Sequence, residues 1–401
     1  MRILKDTSIY ILGEIISKSF PFFLLPYLTR SLGTEGYGEL ALSLMWLSIL
    51  IIFIGMSQEV AIARYYFYRG KNYLKLMVGA GHILSITMFF IVFLFAILFS
   101  STLLLILSFS ALLQSFINVQ LSLRQCQKRA YSYFFVQLAS ASLSLIFTVI
   151  IFEFISADRD GRLNAMIYAN ICVILVSMYS FLKQSKSSYK ATPIKLLVSI
   201  KYILKYGAPL IIHQLSFVIR GQLDRLFIYS QFSSHALGIY AAGYQIASVY
   251  IVLLGAINNA LLPYFFEALK SKKITEKHIS KYFVNSLFIS FLPASIAYII
   301  PNEWYAILLG VGFENVKSFT CMFLLGMGLQ IPYLFLVNYM FYHAKNSIIG
   351  FCTISSSIFY IIFVYLFSKY SLELVPLSLL ISNAISIILL HREFKLIRKS
   401  Q

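Results

Sequence analysis

The sequence predicts an all-α integral membrane protein with about twelve transmembrane helices, and three observations carry that prediction. Of its 401 residues, 59% are hydrophobic and 12% charged, against roughly 45–50% and ~25% in soluble domains. A soluble fold has too little interior to hide so much Phe, Leu and Ile. Several apolar runs reach the ~20 residues that a helix needs to cross hydrocarbon. The basic residues also crowd into alternate loops, the asymmetry that sets orientation in a membrane.

The first span, 8–28, follows Arg2 and Lys5. It contains Glu14 and Lys18, is too long for the core of a secretory signal, and shows no small-residue cleavage site. Span two covers 38–58. Between Lys75 and Arg124 lie 48 residues without Asp, Glu, Lys or Arg, a helix of roughly 72 Å if continuous. That is more than twice the membrane. The run must fold back, and Ser100-Ser101-Thr102 is the natural hairpin between spans 76–99 and 102–123. Spans 132–155 and 163–182 follow.

The seventh span, 206–229, is the weakest by hydropathy because of its charges. The uncharged run 226–266 divides at Ser233-Ser234-His235, which gives the eighth span, 237–262. Spans 282–300, 317–342, 346–368 and 373–391 complete the twelve.

With both termini cytoplasmic, 25 of the 33 Lys and Arg fall on the inside. Five (Arg30, Arg159, Arg162, Lys317 and Lys369) fall outside, and Lys18, Arg220 and Arg225 lie within spans. The opposite topology inverts the bias, and an odd number of spans scrambles it. The same bias accounts for the net charge of +18 without nucleic acid as a partner.

The longest polar stretch, 183–205, holds six Lys and Pro193 and falls midway. It reads as a cytoplasmic basic linker between a first six-helix bundle, 1–182, and a second, 206–401. The two are then pseudo-symmetric and run in the same direction. A trace of the repeat survives: Gly36-Tyr37-Gly38 opens span two and Gly238-Ile239-Tyr240 opens span eight. Lys18 and Arg220 precede Gly36 and Gly238 by the same interval.

A charge at mid-bilayer costs about 2.5–3.5 kcal/mol on insertion scales, so charged residues there face protein or a wet cavity. Glu14 and Lys18 are spaced i, i+4, as are Arg220 and Asp224, with Arg225 adjacent. The bland reading is that each couple neutralises itself on one helix face and eases insertion. The functional reading is a cationic cavity between the halves, where Lys18, Arg220 and Arg225 meet a phosphate or pyrophosphate; Arg forks match such oxygens. Glu14 and Asp224 are then candidates for coupling transport to protons. Cys126, Cys172, Cys321 and Cys352 are isolated from one another, and His82, His213 and His235 have no carboxylate or His at ligand spacing. No metal site, cofactor or catalytic set is expected.

The segment 19–42, SFPFFLLPYLTRSLGTEGYGELAL, carries a resemblance. Pro26, Leu28, Thr29, Arg30, Leu32, Gly33, Gly36, Tyr37 and Gly38, followed later by Tyr206-Gly207-Ala208-Pro209-Leu210, Asp224-Arg225 and Leu237-Gly238-Ile239-Tyr240, resemble Wzx-type O-antigen flippases. Those flippases are the polysaccharide branch of the multidrug/oligosaccharidyl-lipid/polysaccharide (MOP) exporter superfamily. The resemblance implies a MATE-like fold in the bacterial inner membrane. It implies a flippase that moves an undecaprenyl-pyrophosphate-linked oligosaccharide from cytoplasmic to outer leaflet by alternating access, in O-antigen and lipopolysaccharide biosynthesis. The implied partners are that lipid-linked oligosaccharide, membrane lipids and polysaccharide assembly proteins. It also gives Arg30 and the Asp224-Arg225 pair a role beyond anchoring at the interface. Pro21, Pro26, Pro209, Pro293 and Pro332 are candidate bending points.

Two rival classes are weighed against this. A drug or cation antiporter of the same superfamily asks for an acidic interior, whereas the charges within spans lean basic. A membrane-embedded polysaccharide polymerase asks for a large outer loop, and the longest here, 301–316, is short. An acyltransferase asks for an embedded His with an acidic helper, which the sequence lacks. The expectation is a transporter, not an enzyme.

Overall fold

A backbone N–H or C=O without a partner costs several kcal/mol in lipid, so segments that cross must satisfy their own hydrogen bonds. In the computed structural model the chain does so with helices. Residues 2–184, 192–343 and 345–400 are described, without the side chains of 2–11, 14, 17, 184, 346 and 397–400.

The order is α1 (Arg2–Gly55), α2 (Gln58–Arg69), α3 (Leu74–Leu98), α4 (Thr102–Cys126), α5 (Ala130–Phe154) and α6 (Arg159–Gln184). Then come α7 (Pro193–Gln222), α8 (Asp224–Gln231), α9 (Ser234–Lys270), α10 (Glu276–Ile289) and α11 (Leu292–Ile299). The chain closes with α12 (Asn302–Leu309), α13 (Val316–Gly328), α14 (Gln330–Tyr342), α15 (Asn346–Ser368) and α16 (Leu377–Ser400).

Among the described residues, eleven helical stretches are long and apolar enough to cross a membrane. The first, Lys18–Gly55, has 38 residues, roughly 57 Å of helix. Gly33 breaks it with φ 66° and ψ −173°, a backbone open to glycine and strained for other residues. The break falls between the first two expected spans, which brings the eleven stretches into line with about twelve. Both expected hairpins form. The Ser101 hydroxyl accepts from the Leu104 N–H at 3.2 Å, and that of Ser233 from the Ala236 N–H at 3.1 Å; each caps the following helix.

Several boundaries differ from expectation. Helix α7 begins at Pro193, inside the stretch read as linker, while 185–191 lie outside the described residues. Proline suits the first position of a helix, where its missing N–H is not needed. Lys195, Lys201 and Lys205 point outward from α7, while Ser199 and Ile203 are buried. That i, i+4 spacing gives the helix one packed face. Span nine is two pieces, α10 and α11, with Pro293 at the start of the second. Span ten is likewise α13 and α14, joined at Leu329, just before Pro332. Pro21, Pro26 and Pro209 lie inside continuous helix.

The chain forms two compact units. One comprises Met1–Phe20 and Leu42–Val218; the other comprises Pro21–Ala41 and Ile219–Gln401. In the first, Ala61, Met77, Ala80, Leu84 and Ile203 form one buried cluster, and Ile62, Leu74, Val78, Val119 and Leu123 another. Together they fasten α2 to α3, α4 and α7. Gly207 lets α7 close on the Met56 carbonyl, which a Cβ would strike. Met56 and Ser57 there take φ 50° as the chain turns from α1 into α2.

In the second unit, Phe283, Leu336, Met340, Leu390 and Phe394 belong to a core uniting α10, α14 and α16. Small residues bring these helices close, as membrane packing favours. A Cβ at Gly328 would run into the Ser290 carbonyl. The Ser382 hydroxyl donates to the Ser356 carbonyl at 2.8 Å, and the Asn383 amide to that of Gly326 at 2.9 Å. The outward faces are greasy: Phe90, Leu94, Phe95 and Leu98 on α3 and Ile146, Ile150 and Phe154 on α5 are exposed. Such faces suit lipid, not water.

The glycine contacts predict opposite signs for one substitution. Gly328→Ala forces two backbones apart and should destabilise by about 1–3 kcal/mol. Gly350→Ala, which meets nothing within 4 Å, should stabilise by roughly 0.5–1 kcal/mol through helix propensity. Thermal unfolding in detergent followed by circular dichroism reads both; a lower melting point for Gly350→Ala would contradict the packing described.

Candidate functional site

The segment around Arg30 shows what its residues do locally. Thr29 and Leu28 are buried, and the Thr29 hydroxyl donates to the Leu25 carbonyl at 3.0 Å. The Arg30 guanidinium reaches across to donate to the Ile307 carbonyl. Ile307 sits in the last turn of α12, where carbonyls lack helical partners and a cation is favoured. The Arg30 stem lies against Gly310, whose φ is 95°. Tyr37 packs edge-on against Phe313 with centroids 6.4 Å apart, and Thr34 shares a 2.7 Å hydrogen bond with the His235 ring.

Gly38 and Gly238 meet directly. A Cβ on Gly38 would enter the Ser234 carbonyl, and one on Gly238 that of Thr34. The two glycine-tyrosine motifs noted as repeat counterparts therefore form a crossing where only glycine fits. These contacts all lie within the second unit.

The same unit holds Arg220, Asp224 and Arg225. Asp224 is 2% exposed and receives a hydrogen bond from the Tyr240 hydroxyl. The Arg225 backbone N–H adds a second at 2.9 Å. Tyr240 is held in turn by Phe319 and Phe323, centroids 5.7 and 4.9 Å away. Arg225 donates to the Ala41 carbonyl at 3.1 Å and lies 5.5 Å from the Tyr244 ring centre. Arg220 donates to the Ser356 hydroxyl at 2.9 Å.

One expectation fails here: Arg220 and Asp224 do not neutralise each other. The helix is interrupted at Leu223, between α7 and α8, and other helices offer better partners. Ser356 on α15 takes the cation, and Tyr240 on α9 takes the carboxylate. Lys18 is exposed in the first unit, and the Glu14 side chain lies outside the described residues, so that couple has no observed geometry.

Sequence reading missed three polar centres in the first unit. The Glu59 carboxylate accepts from the Gln214 amide at 3.2 Å, whose oxygen accepts from the Ser57 hydroxyl at 3.3 Å. Its signal was isolation: between Glu39 and Glu153 it is the only acidic residue. Arg124, read as a loop residue, is 6% exposed and donates to Ser132, Gln120 and the Ser177 carbonyl at 2.8–3.1 Å. Arg162, read as an outer-loop cation, donates to the hydroxyls of Ser144 and Thr148 at 2.9 and 2.7 Å. An open apolar groove of about 800 Å³ in this unit is lined by Trp46, Phe53, Met88, Leu104 and Ile211 among others. Among the described residues no group of His, Cys, Asp and Glu could hold a metal ion.

The sequence model of a family described as "Polysaccharide biosynthesis protein" matches residues 3–269. Two Haemophilus influenzae proteins are similar over most of their length. One, "Lsg locus putative protein 1", is 40% identical over 362 residues, 90% of each chain. The other, an "Uncharacterized membrane protein", is 41% identical over 362 residues, 90% of this chain and 89% of that one.

Among solved structures, an inward-facing MATE family multidrug resistance transporter of the MOP superfamily superposes with a TM-score of 0.69 at 15% identity. The match covers 96% of this chain and 99% of that one. An outward-facing MATE family transporter gives 0.64 at 17%, over 99% and 97%. A MOP superfamily transporter from Pyrococcus furiosus, described as having a binding pocket of reverse polarity, gives 0.60 at 16%, over 98% and 95%. At these identities the likeness is one of fold, and the fold is the MATE-like one expected.

The Asp224 cluster yields a stability test. Tyr240→Phe leaves a buried carboxylate one donor short and should cost about 1–3 kcal/mol. Adding Asp224→Asn should recover part of that loss, since coupled partners are not additive. A double-mutant cycle of melting temperatures in detergent measures the coupling; strict additivity would contradict the contact.

Proposed function

The chain belongs to the polysaccharide biosynthesis protein family, and on that premise we propose that it is a flippase for lipid-linked oligosaccharide. The proposed substrate is an undecaprenyl-pyrophosphate-linked repeat unit of O-antigen or a related polysaccharide. It moves from the cytoplasmic to the outer leaflet of the bacterial inner membrane, with both termini of the protein in the cytoplasm. The family and the fold are those of a transporter rather than an enzyme.

The observation that carries the reading is the Arg220–Asp224–Arg225 group. Each of the two guanidinium groups commits one nitrogen to a hydrogen bond with a protein acceptor, and each has five N–H donors. The remaining donors are available to phosphate oxygens, and the group carries a net positive charge. Moving a diphosphate and its sugars through hydrocarbon unaided costs many kcal/mol of lost hydration. Fixed cations replace that hydration, while the lipid tail can stay in the bilayer.

In this reading Lys18, Arg30, Arg220 and Arg225 bind the substrate head, and Glu14 and Asp224 are charge partners that can couple the cycle to protons. Alternating access comes from rocking a first six-helix half, 1–182, against a second, 206–401, about the segment 183–205. The rival reading, a drug or cation antiporter of the superfamily to which the neighbours described as multidrug resistance transporters belong, fits less well. It asks for carboxylates, and the stretch between Glu39 and Glu153 has Glu59 alone.

Vesicles reconstituted with the protein and a labelled lipid-linked oligosaccharide test the proposal, with leaflet distribution as the readout. Arg220→Gln and Arg225→Gln each remove a charge-assisted hydrogen bond worth about 1.5–3 kcal/mol. Translocation should slow roughly 10- to 100-fold. Unchanged rates in both variants would place substrate binding elsewhere.

A further inference from the structure

In the first unit, α2, the start of α3 and the first turns of α7 enclose a pocket of about 290 Å³. Tyr65, Arg69, Tyr73, Lys195 and Tyr202 are among its lining residues. We propose that this pocket binds the phosphate headgroup of an anionic membrane phospholipid, a site distinct from any used in translocation.

The first support is charge without compensation. Arg69 and Lys195 are exposed, and among the described residues neither forms an ion pair with a carboxylate. The sequence explains why: no Asp or Glu occurs between Glu59 and Glu153, or between Asp160 and Asp224. Every strand of chain around the pocket comes from those two carboxylate-free stretches. An external anion is the natural counter-charge.

The second support is shape. Tyr65 stands edge-on to Tyr202, centroids 5.6 Å apart, and its hydroxyl donates to the Asn72 carbonyl at 3.0 Å. Lys195 Nζ lies 5.4 Å from the Tyr73 ring centre. An aromatic wall therefore holds the Lys195 ammonium beside the pocket, which Arg69 also lines. Arg64, one turn and a half earlier on α2, is engaged differently. It lies 4.5 and 4.4 Å from the ring centres of Tyr68 and Tyr206, which leaves Arg69 and Lys195 as the pair facing the pocket.

The third support is the surface beside the pocket. Ile194, Leu197 and Val198 on α7 are 76%, 57% and 62% exposed, interleaved with Lys195. An amphipathic helix with outward apolar residues and a lysine stem suits the boundary between headgroups and acyl chains. A ligand with an anionic head and an apolar body uses both features. A soluble phosphate uses only the cations, and a zwitterionic headgroup brings an ammonium that they repel.

The full-length protein in detergent supplies the test, with lipid retention read by native mass spectrometry. Phosphatidylglycerol should be retained in preference to phosphatidylcholine. Arg69→Gln and Lys195→Gln should each weaken that retention roughly fivefold, the scale of one basic residue at an anionic surface. Lys71→Gln and Lys75→Gln, outside the pocket, should leave it unchanged.

Equal losses at Lys71 and Lys75 would mean diffuse surface charge and overturn the site. So would unchanged retention in the Arg69/Lys195 double variant. Displacement of phosphatidylglycerol by an equimolar amount of inorganic phosphate would show a soluble anion as the ligand and overturn the lipid assignment.

Discussion

Hydrocarbon offers no hydrogen bonds, so every polar group that this chain carries into a membrane must find its partner within the chain. The backbone meets that demand as helix. The side chains meet it one at a time, and their solutions differ. Arg124 is surrounded by neutral acceptors from its own helix and two others, and Arg162 by hydroxyls on α5. Asp224 is closed in by the Tyr240 hydroxyl and a backbone N–H. These contacts are to neutral groups, not to an opposite charge as in a buried ion pair, whose desolvation cost often exceeds its attraction. Neutral donors and acceptors let a charge stay in place without a second charge to desolvate.

The same demand gives the small residues their work. Helices in lipid gain little from burying apolar surface against each other, because the lipid is as apolar as they are. Close approach is what remains. Gly207 on Met56, Gly328 on Ser290, and Gly38 on Gly238 each bring backbones to distances that any Cβ would forbid. The residues from Pro26 to Gly38 that resemble a family signature are, in the structure, mostly packing. Arg30 caps a helix end, Tyr37 packs against Phe313, and Gly38 fits a crossing. A signature of this kind reports shared architecture more directly than shared chemistry.

Much of the architecture could be read from the residues because length, charge and turn chemistry agree. An uncharged run twice the membrane thickness must bend, and serines with capping hydroxyls stand where it does. The break at Gly33 falls between the first two expected spans, although no reading of the sequence singled out that residue for it. Partner choice was not visible. Spacing shows that Arg220 and Asp224 can share a helix face, but not that α15 offers Ser356, 136 residues from Arg220, and α9 offers Tyr240. Hydropathy likewise counts Arg124 and Arg162 as costs to be kept at the edges, since it has no knowledge of the acceptors waiting for them. The start of α7 was hidden because lysines on one face of a helix look like a polar linker when read in a line.

The interruption at Leu223 separates two different kinds of charge. Below it in sequence, Arg220 holds a single hydroxyl and retains most of its donors; beyond it, Asp224 is buried and fixed by aromatic neighbours. Arg225 is intermediate, with one carbonyl and one ring face. A binding group for a passing anion needs both kinds. The buried carboxylate, held by Tyr240 and a backbone N–H, fixes its own position, whereas a guanidinium with one protein acceptor has further N–H donors to offer. An arginine already closed in by protein acceptors, as Arg124 is, would have to give up several bonds to do the same. By that criterion Arg220 and Arg225, each with one protein acceptor, are less committed than Arg124 with its several.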